Sequence, residues 1–360
     1  MAQSPNDSLL RHVAPVAAGA HVVAAAFLDT TPAFALGDGT ILLAGPVPQR
    51  VRAHPDAAVL VAAAGGGALF TGGDDGRVVA TTPDGVPRQR ADEAGRWIDA
   101  LAARPDGAIA WSCGKTVRAQ EAARGQEAPR GQEAARGQEA QRRADAPPPT
   151  TAFDAPSTVR GLAFFRKGFR LAAAHYNGVS LWYPNAVAKP DLLEWKGSHL
   201  DATVAPDGRF IITSMQENTL HGWRLPDLKN MRMAGYPAKT RSLSWSHDGE
   251  WLATSGAEAS VVWPFQTKDG PMGRGPRECG VRAAKVTQVA FHPASLVLAI
   301  GYEDGWVLLC RLTDGSELLV RAPGAGRDPV SALAWDGAGA RLAFGTQKGE
   351  AGVLALPRAM

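Results

Sequence analysis

Residues 286–312 read VTQVAFHPASLVLAIGYEDGWVLLCRL. Three short runs rich in Val, Leu, Ile and aromatics are separated by His292-Pro293 and by Glu303-Asp304-Gly305. Each run is too short for a helix, and the punctuation between them is that of turns. Asp-Gly is favoured at the centre of a two-residue hairpin, because both positions need positive φ and the resulting twist matches the flanking strands. The first run, with Val289, Ala290 and Phe291 adjacent, is apolar on both faces, which predicts a strand buried between neighbours. The stretch therefore reads as three consecutive antiparallel strands.

The same grammar recurs in both directions. Units begin at Val159 (VRGLAFFRKGFRLAAAHYNGVSLWYP), Thr240 (TRSLSWSHDGEWLATSGAEASVVWPF) and Val330 (VSALAWDGAGARLAFGTQKGEAGVLAL). First turns include Arg104-Pro105-Asp106-Gly107, Ala205-Pro206-Asp207-Gly208 and Ser246-His247-Asp248-Gly249; second turns include Gly37-Asp38-Gly39, Asp74-Asp75-Gly76 and Tyr176-Asn177-Gly178. Pro presets the first turn torsion, and Gly supplies the positive φ that closes it. A more polar stretch, such as Lys189 to Gly197 or Ser316 to Pro323, completes each unit as an outer edge strand.

Inner strands start near Val22, Ala58, Ile98, Val159, Leu200, Thr240, Val286 and Val330, at intervals of about 37 to 46 residues apart from one near 60. Self-similarity of this period with about four strands per unit is the signature of a β-propeller. The expected fold is all-β: an eight-bladed β-propeller of four-stranded antiparallel blades. Seven blades is the alternative, should the glycine-rich second unit (Ala62 to Gly73) be degenerate. Residues 9–356 are read as one propeller and 1–8 as a flexible tip. The last unit ends at Leu356 without an outer strand, and Leu9 to Val16 is expected to supply it, so that no sheet edge is left open. The long interval comes from an insertion at 119–149 carrying a hexapeptide repeat, Gln120–Gly125, Gln126–Gly131 and Gln132–Gly137. Six residues advance a helix by about 240°, so the repeat builds no apolar stripe, and a disordered loop in blade three is expected.

Lys and Arg total 38 against 35 Asp and Glu, a net charge of +3. That balance lacks the basic footprint of a nucleic-acid binder. The three cysteines, Cys113, Cys279 and Cys310, show no C-x-x-C spacing, which argues against a disulfide framework or a thiolate zinc site and for a reducing cytoplasm. Ala14 to Leu28 is Ala/Val-rich, but Gly19 and His21 interrupt it, and it reads as strand rather than export signal. No run approaches the roughly 20 apolar residues of a membrane span. The abundance of Ala, Gly and Arg suggests a GC-rich bacterial genome.

The unit V-x-x-[LV]-[AS]-[FW]…[PD]-G-x-x-L-A-x…[DN]-G-x-x-x-x-W resembles the WD40 repeat over nearly the whole chain. The likeness lies in spacing, hairpin turns and the third-strand tryptophans Trp182, Trp223 and Trp263, read as structural wedges between blades, with Cys310 at the comparable place in the next unit. Asp75, Asn177 and Asp304 are the matching structural turn residues. The Trp-Asp pair is missing: Trp182 precedes Tyr183, Trp223 precedes Arg224, and Trp263 precedes Pro264. In the family a His, a second-strand Ser/Thr, the third-strand Trp and a turn Asp form a network within a blade. His199, Ser214 and Trp223 stand in three of those places, with Asn218 replacing the acid. The resemblance implies a non-catalytic platform for protein assembly, met at the rim or central funnel.

Candidate chemistry is sparse. The eight histidines lack H-x-H or H-E-x-x-H spacing, and no G-x-S-x-G element is present, so no catalytic residue, metal or cofactor is expected. Cys113 and Cys310 read as small buried hydrophobes, and Cys279 as the exposed thiol of a loop. The turn acids Asp38, Asp74, Asp75, Glu217, Glu258, Glu303 and Asp304 gather on one face, which leaves a propeller enzyme or a small-ligand or metal binder as the alternative function. The segments entering the inner strands supply Arg96, Trp97, Arg160, His199, Tyr236, Lys239, Arg241, Arg282 and Lys285. Alternating cations and aromatics at this rim predict a protein partner, with the propeller monomeric within a complex. Met231 to Pro237 is the outer connection richest in contact-forming residues.

Overall fold

In the computed structural model, which describes residues 8–122, 149–186, 189–324 and 326–357, the opening stretch folds as its turns dictate. Strands Val286–Phe291, Val297–Tyr302, Val307–Arg311 and Glu317–Arg321 lie side by side in sequence order, Phe291 opposite Leu298, Leu298 opposite Cys310, and Cys310 opposite Glu317. The second and third strands are the most buried, and the outer strand the least. The innermost strand alternates buried and half-buried residues rather than being covered on both faces. It has a neighbour on one edge only and borders the axial opening of the ring.

Hydrogen bonding groups the strands into seven sheets, six of four strands and one of six. The seven-bladed alternative thus describes the sheets, and the expectation of eight separate blades is corrected. The cause is not a degenerate second unit, because Val59–Gly65, Ala68–Gly73, Arg77–Thr81 and Pro87–Asp92 form a complete sheet. It lies between the fourth and fifth sequence units. Strand Leu171–Trp182 contains the Asn177-Gly178 reversal, with φ of 66° and 149°. Strand Asp191–Val204 then serves two units: Leu193 pairs with Val179 of the fourth, and Ala202 with Thr213 of the fifth, across a bulge between His199 and Asp201. No loop separates the outer strand of one unit from the inner strand of the next, so two repeats fuse into one sheet.

Eight innermost segments still follow one another around the axis: Val22–Leu28, Val59–Gly65, Ala100–Ala103, Gly161–Phe164, residues 199–204, Leu243–Trp245, Val286–Phe291 and Val330–Trp335. The packing between them is close. A Cβ on Gly161 would lie 2.5 Å from the Cα of Asp201, so glycine is required there. At the next seam the Trp245 indole N–H donates to Thr203 Oγ1 at 3.0 Å.

The ring closes through both ends of the described chain. Val13–Ala17 pairs antiparallel with Glu350–Ala355, Val13 opposite Leu354. The pairing starts later than Leu9, because Leu10–His12 forms a 3-10 turn. Ahead of that turn, the Leu9 N–H donates to Leu319 O at 2.7 Å and Ser8 bridges to Leu319, so the same segment reaches the outer strand of the preceding sheet. The insertion also starts later than expected. Ala119 and Gln120 are buried in Thr116–Gln120, paired with Thr151 and Thr150 of Thr150–Asp154, and 123–148, with most of the hexapeptide repeat, lie outside the described residues.

Between sheets the core is a series of apolar seams. Trp182 packs with Phe153 at a ring separation of 4.8 Å where the third and fourth units meet; Trp223 fills the next seam and Trp263 the one after. Cys310 occupies the corresponding seam between the sixth and seventh units. Among the described residues no helix is long and apolar enough to cross a membrane.

Candidate interaction site

On the face where second strands turn into third strands, turns are tied to the segments entering inner strands, of their own unit or of the next. Asp74 accepts the Ala58 N–H at 2.9 Å, Asn177 Oδ1 the Gly197 N–H at 3.1 Å, and Asp99 the Gly114 N–H at 2.7 Å. Asp38 and Asp304 cap their own turns at Thr40 and Trp306. Asp75 does more: both its oxygens lie 3.1 Å from His54 Nδ1, whose Nε2 meets Thr71 Oγ1 at 2.9 Å. Asp75 thereby fixes a buried histidine. Asp38, Asp74, Asp75 and Asp304 are thus occupied in turn and strand-entry bonds and Glu303 pairs with Arg327, whereas Glu217 and Glu258 are exposed with no side-chain partner among the described residues.

The expected network of His199, Ser214 and Trp223 is partly redrawn. His199 Nδ1 meets Thr213 Oγ1 at 2.8 Å, and its Nε2 donates to Trp195 O at 3.0 Å. Side chains alternate along the strand, so Thr213 rather than Ser214 faces the histidine, and Ser214 Oγ has no protein partner. His175, His199 and His221 all have their pKa lowered by burial, His221 to about 4, so the three are neutral at neutral pH.

Two expected contact residues are not at the surface. His199 is fully buried for the reason just given. Tyr236 is buried as well, with its Oη accepting from Trp263 Nε1 at 2.7 Å and donating to Thr254 Oγ1 at 2.7 Å, which donates onward to Val261 O at 2.9 Å. Desolvation pushes its pKa up to about 12. In its own sheet the phenol does what His54 and His199 do in theirs, joining an incoming segment to the second strand. A tyrosine so placed is invisible to a motif written around histidine.

The remaining expected residues are accessible. Trp97 is 64 % exposed; Arg96, Arg160 and Arg241 are exposed, and Lys239, Arg282 and Lys285 half-buried. Arg160 pairs with Asp99 at 3.3 Å, Arg96 donates to Cys113 O at 2.8 Å, and Arg282 pairs with Glu317 while lying over the Trp306 ring. Lys239, Arg241 and Lys285 make no ion pair among the described residues. Cys279, expected in an exposed loop, is buried in the short outer strand Arg277–Cys279, in the same apolar seam as Cys310. The neighbouring thiol lowers the pKa of Cys279 and, together with burial, raises that of Cys310.

A groove of about 710 Å³ lies on this face between Pro156-Ser157, the Tyr176-Asn177 turn and residues 192–196, and sequence reasoning missed it. Tyr176, 53 % exposed, stands at the tip of the Asn177-Gly178 turn with its N–H donating to Ser157 Oγ at 2.9 Å. Trp195, 37 % exposed, stacks on His221 with ring centroids 3.9 Å apart, and Leu192, Glu194 and Lys196 stand in the same wall. The available signal was a tryptophan and two leucines in the otherwise polar stretch 189–197.

Among the described residues no group of three or more His, Cys, Asp or Glu side chains is placed to hold a metal ion. The innermost segments carry one acid, Asp201, with its carboxylate accepting only the Ala202 N–H, at 2.8 Å. Desolvation pushes its pKa up to about 6.

No family model and no curated protein matches the chain. Solved structures do. The computationally designed Ika8 protein is similar over 94 % of this chain and 97 % of its own, with a TM-score of 0.69 and 16 % identity. The Pan2 WD40 domain of Neurospora crassa is similar over 85 % of this chain and 92 % of its own, with a TM-score of 0.61 and 13 % identity. At such identities the likeness is one of backbone: the chain folds as a WD40-like β-propeller.

Proposed function

We propose that the chain is a non-catalytic scaffold that binds a partner protein on the rim formed by its third to fifth sequence units. The observation that carries the reading is the groove lined by the exposed aromatics Tyr176 and Trp195 with Glu194 and Lys196, together with exposed Trp97, Arg96 and Arg160 on the segments entering the third and fourth inner strands. Large aromatic side chains left in water forgo the stabilisation that burial would give them, and Trp, Tyr and Arg are the residues that most often dominate protein interfaces. The rest of the rim, Lys239, Arg241, Arg282 and Lys285, supplies charge around that centre. The partner is read as protein rather than nucleic acid or membrane, given a net charge of +3. The compartment is read as a reducing bacterial cytoplasm: Cys279 and Cys310 lie side by side as free thiols, and the composition is rich in Ala, Gly and Arg. The alternative of funnel chemistry draws little support from turn acids of which five are engaged in structural bonds or ion pairs, and none of which is gathered in a metal-holding group among the described residues.

The test is affinity capture from the source organism with the native chain and with a Trp97→Ser, Tyr176→Ser, Arg160→Glu variant. All three side chains are exposed, so the melting temperature should stay within a few degrees. Loss of one or more captured proteins with the fold intact is the expected outcome. An identical set of captured proteins would overturn the rim reading.

A further inference from the structure

The outer circumference between the fifth and sixth units holds a second surface, away from the rim. Strand Lys229–Met233 ends the six-stranded sheet, so its outward backbone N–H and C=O groups face no strand. In the next sheet the outer strand Arg277–Cys279 pairs only with residues 260–262, leaving Trp263 without an outward partner, and the chain from 265 to 276 swings aside. The gap is a pocket of about 300 Å³ walled by Met231, Met233, Trp263 and Met272. Met231 and Met233 are buried in the seam, whereas Met272 is 53 % exposed over the mouth. Thioether side chains adapt to varied apolar shapes.

The charge around the mouth is of one sign. Arg232 and Arg274 both line it, both are exposed, and neither makes an ion pair among the described residues; Arg274 donates only to Gln266, at 3.0 Å. No carboxylate lines the pocket. The nearby acids Asp227 and Asp269 are held by Arg224. An unpaired strand edge, one apolar pocket beside it and two free guanidinium groups are complementary to a single kind of ligand.

We propose that this edge receives an extended acidic segment of a partner protein, added as a further antiparallel or parallel strand beside Lys229–Met233, with one large apolar side chain in the methionine pocket and carboxylates on Arg232 and Arg274. Strand addition supplies affinity through the backbone, while the pocket and the charges select the sequence. The surface is separate from the rim groove and does not depend on that reading.

The probe is a fluorescein-labelled nonapeptide, Gly-Glu-Leu-Glu-Phe-Glu-Leu-Glu-Gly, titrated against the full chain by anisotropy. Saturable binding is expected, weakened at least tenfold by Arg232→Glu with Arg274→Glu and recovered in that variant by the peptide with Lys in place of Glu. Amide hydrogen exchange should slow in residues 229–233 on binding. Should the double variant melt below the native chain, Arg274→Glu alone, in the loop, carries the comparison. The proposal is overturned by no binding at about 1 mM peptide, by equal binding of the Glu and Lys peptides to the native chain, by binding indifferent to the charge reversal, or by exchange protection confined elsewhere. Loss of binding on changing Trp97 and Tyr176 instead would assign the peptide to the rim.

Discussion

At the residue scale, Asp201 and His221 set opposing pH dependences. The Asp201 pKa is raised from 3.8 to about 6, so the unfolded chain ionises first, and stability falls as pH rises from about 4 to 6. The His221 pKa is lowered from 6.5 to about 4, so the unfolded chain takes the proton first, and stability falls as pH drops from about 6.5 to 4. The two slopes offset one another across the same window. Asp84 and Asp227, held near 2 by hydrogen bonds from Thr82 and Arg224 respectively, add losses only below about pH 4. Asp201→Asn should therefore raise stability at pH 7 by up to about 3 kcal/mol and uncover a loss on acidification towards pH 4. Urea midpoints measured at pH 4, 5, 6 and 7 check this, and parallel curves for the variant and native chain would refute it. Little of this was readable beforehand. An aspartate in an inner strand is visible as an oddity in L-D-A-T-V, but its desolvation depends on neighbouring strands contributed by other units.

At the scale of elements, the hairpins were legible and the stitches between them were not. Asp-Gly and Asn-Gly turns dictate their own backbone, as Asn177 shows at φ 66° and Gly76 at φ 81°. The groups that tie an entering segment to its sheet come from far along the chain and vary in chemistry: His54 with Thr71, His199 with Thr213, Tyr236 with Thr254. Only the histidine version has a familiar pattern, which is why Tyr236 was read as a surface residue. The Trp195 groove escaped notice for a related reason, since its walls come from a turn, an outer strand and the Pro156-Ser157 entry. Tyr236→Phe keeps the ring but leaves the Trp263 indole N–H and the Thr254 hydroxyl without their partner. It should cost about 1–3 kcal/mol by denaturant titration. A change below about 0.5 kcal/mol would show that the phenol is not the tie between these elements.

At the scale of the whole molecule, the period predicted the ring and its manner of closure, while the sheet count needed the structure. A fused strand leaves no mark in sequence: Lys189 to Gly197 reads as an outer strand and Leu200 as the start of the next inner strand, yet pairing continues from one to the other through Gly197, at φ 126°, and the bulge after His199. Closure by an early strand was legible because the last unit lacked its fourth strand. Removing Val13–Ala17 should expose the edge of Glu350–Ala355, lower the melting temperature and promote association, seen by light scattering. An unchanged, monomeric melt would mean that the pairing of Val13 with Leu354 contributes nothing to closure. That pairing also bears on the order of events during synthesis. Among the described strands Val13–Ala17 is synthesised first and its partner Glu350–Ala355 last. The ring is therefore an open arc until Glu350–Ala355 has been made, and its closure waits on this long-range contact.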